Sequence, residues 1–206
     1  MIDRSEIAAV ILAGGKATRL QQVDKALLPL DGKALIEHVV AHARTESAEI
    51  LISVNRNREK YEYLGLTLIA DYRDPFAGPL IGIASAMRAL QGGNHVAGLK
   101  YLACFAADVP CFPSRLVSKL SCALSHANAE VAWSICNDQL QPLFSLWALS
   151  TLPEIETAIE NGIYGPKLLI PKLKNVLVNF PSDDPAQFLN INTQESYDRA
   201  KSLIES

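Results

Sequence analysis

Apolar residues follow two rhythms along this chain. Short, nearly unbroken apolar runs alternate with stretches in which apolar residues recur every three or four positions. The runs predict strands at Ile7–Ala13, Glu49–Val54, Leu66–Ala70, Tyr101–Ala107, Glu130–Ile135, Leu143–Leu149 and Asn175–Phe180. Several lack polar alternation, as strands covered on both faces do. Helical spacing joins Leu35, Ile36, Val39, Val40 and Ala43, and joins Leu116, Val117, Leu120 and Leu124 behind Ser114 as N-cap. Gly78-Pro79 marks the start of another helix carrying Leu80, Ile81, Ala84, Met87 and Leu90. A last one follows Thr193, with Tyr197, Ala200 and Leu203 inward. Strands alternating with helices predict an α/β architecture around a largely parallel sheet.

No repeat or low-complexity tract interrupts the pattern, and the Gly/Pro-containing stretches Gln91–Gly98 and Ser182–Pro185 read as ordinary connections. A single domain over residues 1–206 is expected. From about Ala129 onward the chain is less regular; this half is expected to complete the sheet and wall a second substrate.

Composition narrows the function. The 206 residues are 49% hydrophobic and 20% charged, enough for a full core. With 19 Lys+Arg against 22 Asp+Glu and no basic run, nothing suits a nucleic-acid backbone. Met1–Val10 carries Asp3, Arg4 and Glu6, unlike a signal peptide, and no apolar run reaches the roughly 18 to 20 residues of a membrane span. A soluble, cytoplasmic protein is expected. Cys104, Cys111, Cys122 and Cys136 form no C-x-x-C pair and read as buried reduced thiols. His38 and His42, four apart, lack the Glu or third ligand of a zinc site.

The chemistry concentrates after the first strand. Gly14-Gly15-Lys16-Ala17-Thr18-Arg19 and then Asp24-Lys25 offer main-chain N–H groups free to approach a phosphate, with Lys16, Arg19 and Lys25 to offset its charge. The bland alternative is a flexible strand-to-helix loop with solvated charges. A P-loop is excluded by Val10 and Ala17 at the positions that need Gly and Ser or Thr. A dinucleotide fingerprint is excluded because neither position 16 nor position 19 is glycine. Asn55, Asp71 and Asp108 stand beyond other predicted strand ends, the edge where open α/β sheets bind ligands. Each is also a common turn former. Asp108 in Ala107-Asp108-Val109-Pro110 suits magnesium shared with phosphate oxygens. Asp71 and Asn55 suit a base such as guanine that offers N–H donors, with the choice between them open.

Taken in order, these segments resemble the molybdenum cofactor guanylyltransferases. The resemblance rests on Leu12 through Arg19, Val23-Asp24-Lys25-Ala26-Leu27-Leu28, Gly32-Lys33, Val54-Asn55-Arg56-Asn57-Arg58, Asp71, Gly78-Pro79-Leu80-Ile81-Gly82-Ile83, Ala107-Asp108-Val109-Pro110 and Asn190-Ile191-Asn192-Thr193. It covers the chain from about Ala8 to Tyr197. It implies a three-layer Rossmann-like nucleotidyltransferase fold with a mainly parallel mixed sheet. It also implies transfer of GMP from GTP to Mo-molybdopterin with release of pyrophosphate. GTP would meet Leu12, Ala13, Gly14, Gly15, Lys25, Asn55, Asp71 and Asp108, with Mg2+ on Asp108, catalytic roles for Lys25, Arg19 and Asp108, and Asn190 and Asn192 near the active site. Proteins that deliver molybdopterin or accept the product are compatible partners. Gln21-Gln22 replace a usual Gly-Gly pair and Leu20 a usual Met, a change that bears on loop shape and rate and removes no charged group. The rival readings are a cytidylyl or sugar-1-phosphate transferase, against which the Gly14-Gly15 pair after Ala13 leans towards guanylyl transfer and a comparison of GTP with CTP decides, and a GTP-binding sensor without turnover.

Overall fold

The computed structural model describes residues 2–14, 24–73, 77–93 and 95–204. Seven strands form one sheet in the spatial order β5 (Thr67–Ile69), β4 (Glu49–Ser53), β1 (Ile7–Leu12), β6 (Tyr101–Ala106), β8 (Gln139–Ala148), β7 (Val131–Cys136) and β9 (Asn175–Asn179). Every pairing is parallel except those of β8, which runs against both β6 and β7. All seven predicted strands are present. β8 begins earlier than its apolar run, because Asn137 and Asp138, at φ of 46° and 63°, turn β7 directly into it as a tight hairpin.

β1 is flanked on both sides, pairing with β4 and β6, and its side chains divide strictly by parity. Ile7, Ala9 and Ile11 join the core beneath α1 (Leu35–Glu46) and α3 (Leu116–Ala127). Ala8 and Val10 join the opposite core beneath α2 (Pro79–Gly92) and α4 (Leu152–Glu160). The apolar run without alternation is therefore the mark of two helical layers on one sheet. All five apolar positions assigned to α1 are buried, as are Leu80, Ile81, Ala84 and Met87 of α2.

Three features were not foreseen. α4 buries Leu152, Ile155, Ala158 and Ile159 and completes the second layer, and a short α5 (Pro166–Leu169) follows it. A hairpin of β2 (Pro29–Leu30) and β3 (Lys33–Ala34), turned by Asp31 and Gly32 at positive φ, makes a small core with the expected final helix, α6 (Gln194–Ile204). There Leu30 and Leu35 pack with Ile191 and Ala200, and the Tyr197 hydroxyl donates to the Pro29 carbonyl.

Ser114 does not cap α3. The N-cap position falls on Arg115, which makes no side-chain cap, and the capping group comes from the end of α1. The Glu46 carboxylate accepts from Val117 N (3.1 Å), Ser118 N (2.9 Å) and Ser118 Oγ (2.8 Å). A negative charge at a helix N-terminus satisfies orphan N–H groups and complements the dipole. Of the cysteines, only Cys104 and Cys136 are buried, while Cys111 and Cys122 are half-exposed; all four are free thiols. His38 bonds the Leu30 carbonyl through Nε2, and His42 packs on the Phe112 ring, so both serve α1's packing.

Because Glu46 ties two helices of one layer, Glu46→Ala should cost about 1–2 kcal/mol, the usual weight of a charged cap. For a chain of this size that lowers Tm by roughly 3–6 °C in a thermal melt. Glu46→Gln should recover about half of it, and an unchanged Tm for Glu46→Ala would show the cap to be idle.

Candidate active site

β1 connects through α1 to β4 on one side, whereas the chain returns through α2 to β6 on the other. The loops leaving the carboxyl ends of β1 and β6 therefore part, and a crevice of about 310 Å³ opens between them. Leu12, Ala13 and Gly14 form its floor, Ser53 and Asp71 one flank, and Ala106, Ala107 and Asp108 the other. The amino end of α2 contributes Gly78, Pro79 and Gly82; Leu143 and Asn192 come from the chain's second half.

The floor is fixed by main-chain bonds. Ala13 N donates to the Ser53 carbonyl (2.9 Å) and Ala107 N to the Leu12 carbonyl (3.1 Å), which prolong the parallel ladders past the strand ends. On the flank nearest β5, Asn55 and Asp71 form a closed pair. Asn55 Nδ2 donates to Asp71 Oδ2 (2.7 Å), and Asp71 N donates to Asn55 Oδ1 (2.8 Å). Both ends of the amide are thus used on Asp71, and Asp71 rather than Asn55 lines the crevice. Tyr72 N donates to Ser85 Oγ (3.0 Å), which fastens the same turn to α2. Asp71 keeps Oδ1 facing the crevice, with only a long contact from Ser53 Oγ at 3.5 Å.

Two glycines are small for a stated reason. A Cβ at Gly82 would lie 2.8 Å from Leu12 Cδ2 and 2.9 Å from Ser53 Oγ, with Asp71 Oδ1 at 3.6 Å. A Cβ at Gly78 would meet the Tyr164 carbonyl oxygen at 2.5 Å, the atom that accepts from Leu80 N. Reading Gly78-Pro79 as a helix start located α2; that Gly82 keeps the crevice wall clear of side chain depends on α2's approach to β1, which periodicity does not report.

The opposite flank is electrostatically unfinished. Lys25 Nζ donates to Asn192 Oδ1 (2.6 Å), two side chains 167 positions apart. Asp108 stands near Lys25; burial pushes its carboxyl above the ordinary 3.8, with the Lys25 charge and its own amide partly opposing. Its carbonyl accepts from Ile191 N (2.9 Å), which seats the 190–193 segment against this flank. Asn192 reaches the crevice, while Asn190 is exposed and does not line it. Of the expected site residues, the structure brings together Leu12, Ala13, Gly14, Lys25, Asp71, Asp108 and Asn192, with Asn55 behind Asp71. Gly15, Arg19, Lys16 and Gln21-Gln22 lie outside the described residues.

Among the described residues no three His, Cys, Asp or Glu side chains gather as a ready-made metal cage. The half-buried Asp108 carboxylate on an open crevice fits a hard divalent cation that takes most of its ligands from phosphate and water. It does not fit a structural zinc site.

Residues 9–176 match the family described as MobA-like NTP transferase domain. A molybdenum cofactor guanylyltransferase from Shewanella sp. (strain MR-4) is 34% identical over 199 residues, covering 97% of each chain. The crystal structure of molybdopterin-guanine dinucleotide biosynthesis protein A from Archaeoglobus fulgidus superposes with a TM-score of 0.73 at 22% identity, over 96% of this chain and 98% of that one. A Mycobacterium tuberculosis protein solved as a complex with manganese gives 0.68 at 13% identity, over 96% and 98%. These structures share this chain's fold.

The raised Asp108 carboxyl has a consequence for stability. In the unfolded chain the group titrates near 3.8 and in the folded one higher, so its contribution is fully present below 3.8 and is lost as pH rises through the folded value. At pH 7 the ionised carboxylate is therefore a cost. Asp108→Asn should melt above the wild type at pH 7, and the two should converge as pH falls towards 3.8. A variant less stable than wild type at pH 7 would contradict this.

Proposed function

The chain belongs to the MobA-like NTP transferase family, and from that premise we infer that it is a molybdenum cofactor guanylyltransferase, moving GMP from GTP to Mo-molybdopterin. The observation that carries the reading is the division of one crevice into two unlike ends, found in a chain that matches a curated guanylyltransferase nearly end to end. An acceptor carboxylate already held in place lies at one end, and a cation near a half-buried carboxylate lies at the other.

GTP lies along the crevice with its base towards β5 and its phosphates towards β6. Those strands are three spacings apart, about 14 Å across the sheet. Asp71 accepts from the N–H donors of guanine, and Asn55 keeps that carboxylate in one orientation. Cytosine places a ring nitrogen acceptor beside its one exocyclic amine and offers this carboxylate no such paired donors, which favours GTP over CTP. Gly14 and Gly15 bring main-chain N–H groups to the phosphates, and Lys25 and Arg19 meet their charge. Asp108 would hold Mg2+, which would supply neutralisation of phosphate charge and Lewis-acid polarisation of the phosphoryl group.

The acceptor's terminal phosphate oxygen attacks the α-phosphorus in line. The new P–O bond forms as the bond to the bridging α–β oxygen breaks, and that oxygen leaves with the electron pair on pyrophosphate. This chain's residues supply position and charge rather than a nucleophile. Lys25 changes partner from Asn192 to phosphate, and Asn192 is left at the crevice edge to contact the acceptor side. The reaction is cytoplasmic, and among the described residues no helix is long and apolar enough to cross a membrane.

With magnesium, Mo-molybdopterin and α-labelled nucleotide, label should enter the dinucleotide cofactor from GTP and not from CTP. Transfer from CTP alone would move the protein to cytidylyl transfer, and transfer from neither would leave a nucleotide-binding role. Asp108→Ala and Lys25→Ala should each lower kcat at least about a hundredfold in folded protein.

The Asn55–Asp71 pair gives a sharper expectation. Asn55→Ala and Asp71→Ala should each weaken GTP binding by roughly ten- to a hundredfold, because the first frees the half-buried carboxylate that meets the base and the second removes it. The double variant should be no weaker than the poorer single one, since both changes disable the same contact. Multiplying losses in a binding titration would mean that Asn55 touches the nucleotide independently.

A further inference from the structure

Asp24 and Lys25 are neighbours whose side chains reach opposite walls of the crevice. Lys25 crosses to Asn192, in the segment before α6. Asp24 turns the other way, and its Oδ2 accepts from Asn57 Nδ2 at 3.0 Å, in the turn that follows β4. Behind it lies Tyr61, fully buried, whose hydroxyl is the buried side-chain oxygen or nitrogen without a hydrogen bond among the described residues. That hydroxyl faces the Asp24 carboxylate; burial first, and then the charge of Asp24, pushes it above the ordinary tyrosine range.

The backbone between the two walls is short and held. Leu27 N donates to the Asp24 carbonyl (2.9 Å) and Leu28 N to the Lys25 carbonyl (3.0 Å), a single 3-10 turn with Ala26 buried beneath it. A turn of this kind has little freedom except rotation about its own ends. The direction in which Lys25 projects is therefore set by where Asp24 is anchored. Asn57, in the left-handed region at φ 50°, presents its amide from a turn that leads directly into the short helix Arg58–Leu64 carrying Tyr61. One carboxylate thus joins the crevice to a rigid element built on a wholly buried ring.

We propose that Asp24 is a positioning residue: anchored by Asn57 and Tyr61, it fixes the turn from which Lys25 meets the triphosphate. This rests on the nucleotidyl-transfer reading above. Asp24 borders the crevice, and its part in the reaction runs through Lys25. The Tyr61 hydroxyl faces the same carboxylate with its own hydrogen-bonding capacity unspent, which offers the anchor a second donor.

The test uses the full chain and two readouts, steady-state transfer and GTP titration, for wild type, Asp24→Ala, Asp24→Asn, Tyr61→Phe, Lys25→Ala and the Asp24→Ala/Lys25→Ala pair. Asp24→Ala should lower kcat/KM about tenfold or more, as displacement of a charged group by a fraction of an ångström does. Asp24→Asn, which keeps an oxygen for both donors, should recover most of the loss. In the Lys25→Ala background, Asp24→Ala should change GTP affinity less than about twofold, because nothing remains for it to position.

The proposal is overturned by wild-type kinetics in Asp24→Ala, by an asparagine variant as poor as alanine, or by Asp24 and Lys25 effects that multiply. Should Asp24→Ala fail to fold, Tyr61→Phe carries the test. It removes one hydroxyl and should lower kcat about two- to fivefold with GTP affinity moving in step, whereas unchanged values overturn the anchor. A wild type that transfers no nucleotide counts against the functional reading instead, and the GTP titrations still decide whether Asp24 acts through Lys25.

Discussion

The site depends on one constraint of chain geometry: β1 has neighbours on both sides, and the chain must leave it in one direction and come back in the other. α1 carries the chain to β4 under one face of the sheet, and α2 returns it to β6 over the opposite face. Loops that continue from adjacent parallel strands would otherwise pack together. Here they are drawn apart, and the main-chain groups of Leu12 through Gly14 are left at the base of an opening. The opening is thus a product of strand order, and the residues that line it inherit positions that their own local sequence does not define.

Electrostatics then separates the two ends of that opening. Asp71 is satisfied before any ligand arrives, since its carboxylate and amide are both bonded to Asn55 and the following residue is fastened to α2. Such a group is oriented in advance, as a selecting group needs to be. Asp108 is in the opposite condition. Its burial disfavours the charge it carries, and Lys25, which offsets part of that cost, donates to Asn192. Charges left open in this way suit a cation and a polyphosphate, as in the transfer proposed above. Selection at one end and charge accommodation at the other is a division of labour suited to a reaction whose chemistry is far from the base.

Much of this was legible in the sequence for physical reasons. A strand covered on both faces has to be apolar throughout, so Ile7–Leu12 and Tyr101–Ala106 announce themselves. α1 and α2 carry their buried positions at helical spacing, and Asp71 and Asp108 stand where strands end. Relations between distant segments were not legible. Ser114 looked like a cap for α3, but a better acceptor, Glu46, arrives from α1 and fills the site. Asn55 and Asp71 looked like equivalent base contacts, and only their mutual bonds show one to support the other. α4 has clear periodicity in Leu152, Ile155 and Ile159, yet it follows β8 so closely that the apolar run of the strand masks its start.

The second half of the chain contributes more than strands. The path from β9 to α6 passes Phe188 at φ 57°, a conformation that costs a bulky residue about 1–3 kcal/mol and persists only where packing enforces it. Packing does so here. The ring sits 4.9 Å from Phe144 and 6.4 Å from Phe180, and Phe188 N donates to the Cys111 carbonyl just beyond Asp108. Ile191 N repeats that attachment at the Asp108 carbonyl, and Ile191 itself fills the small core between α6 and the β2–β3 hairpin. The strap is therefore fastened to the Asp108 flank twice before it delivers Asn192 to Lys25. Seating of the last segment and placement of the Lys25 partner thus depend on the same contacts, with Phe188 the strained residue that packing has to hold.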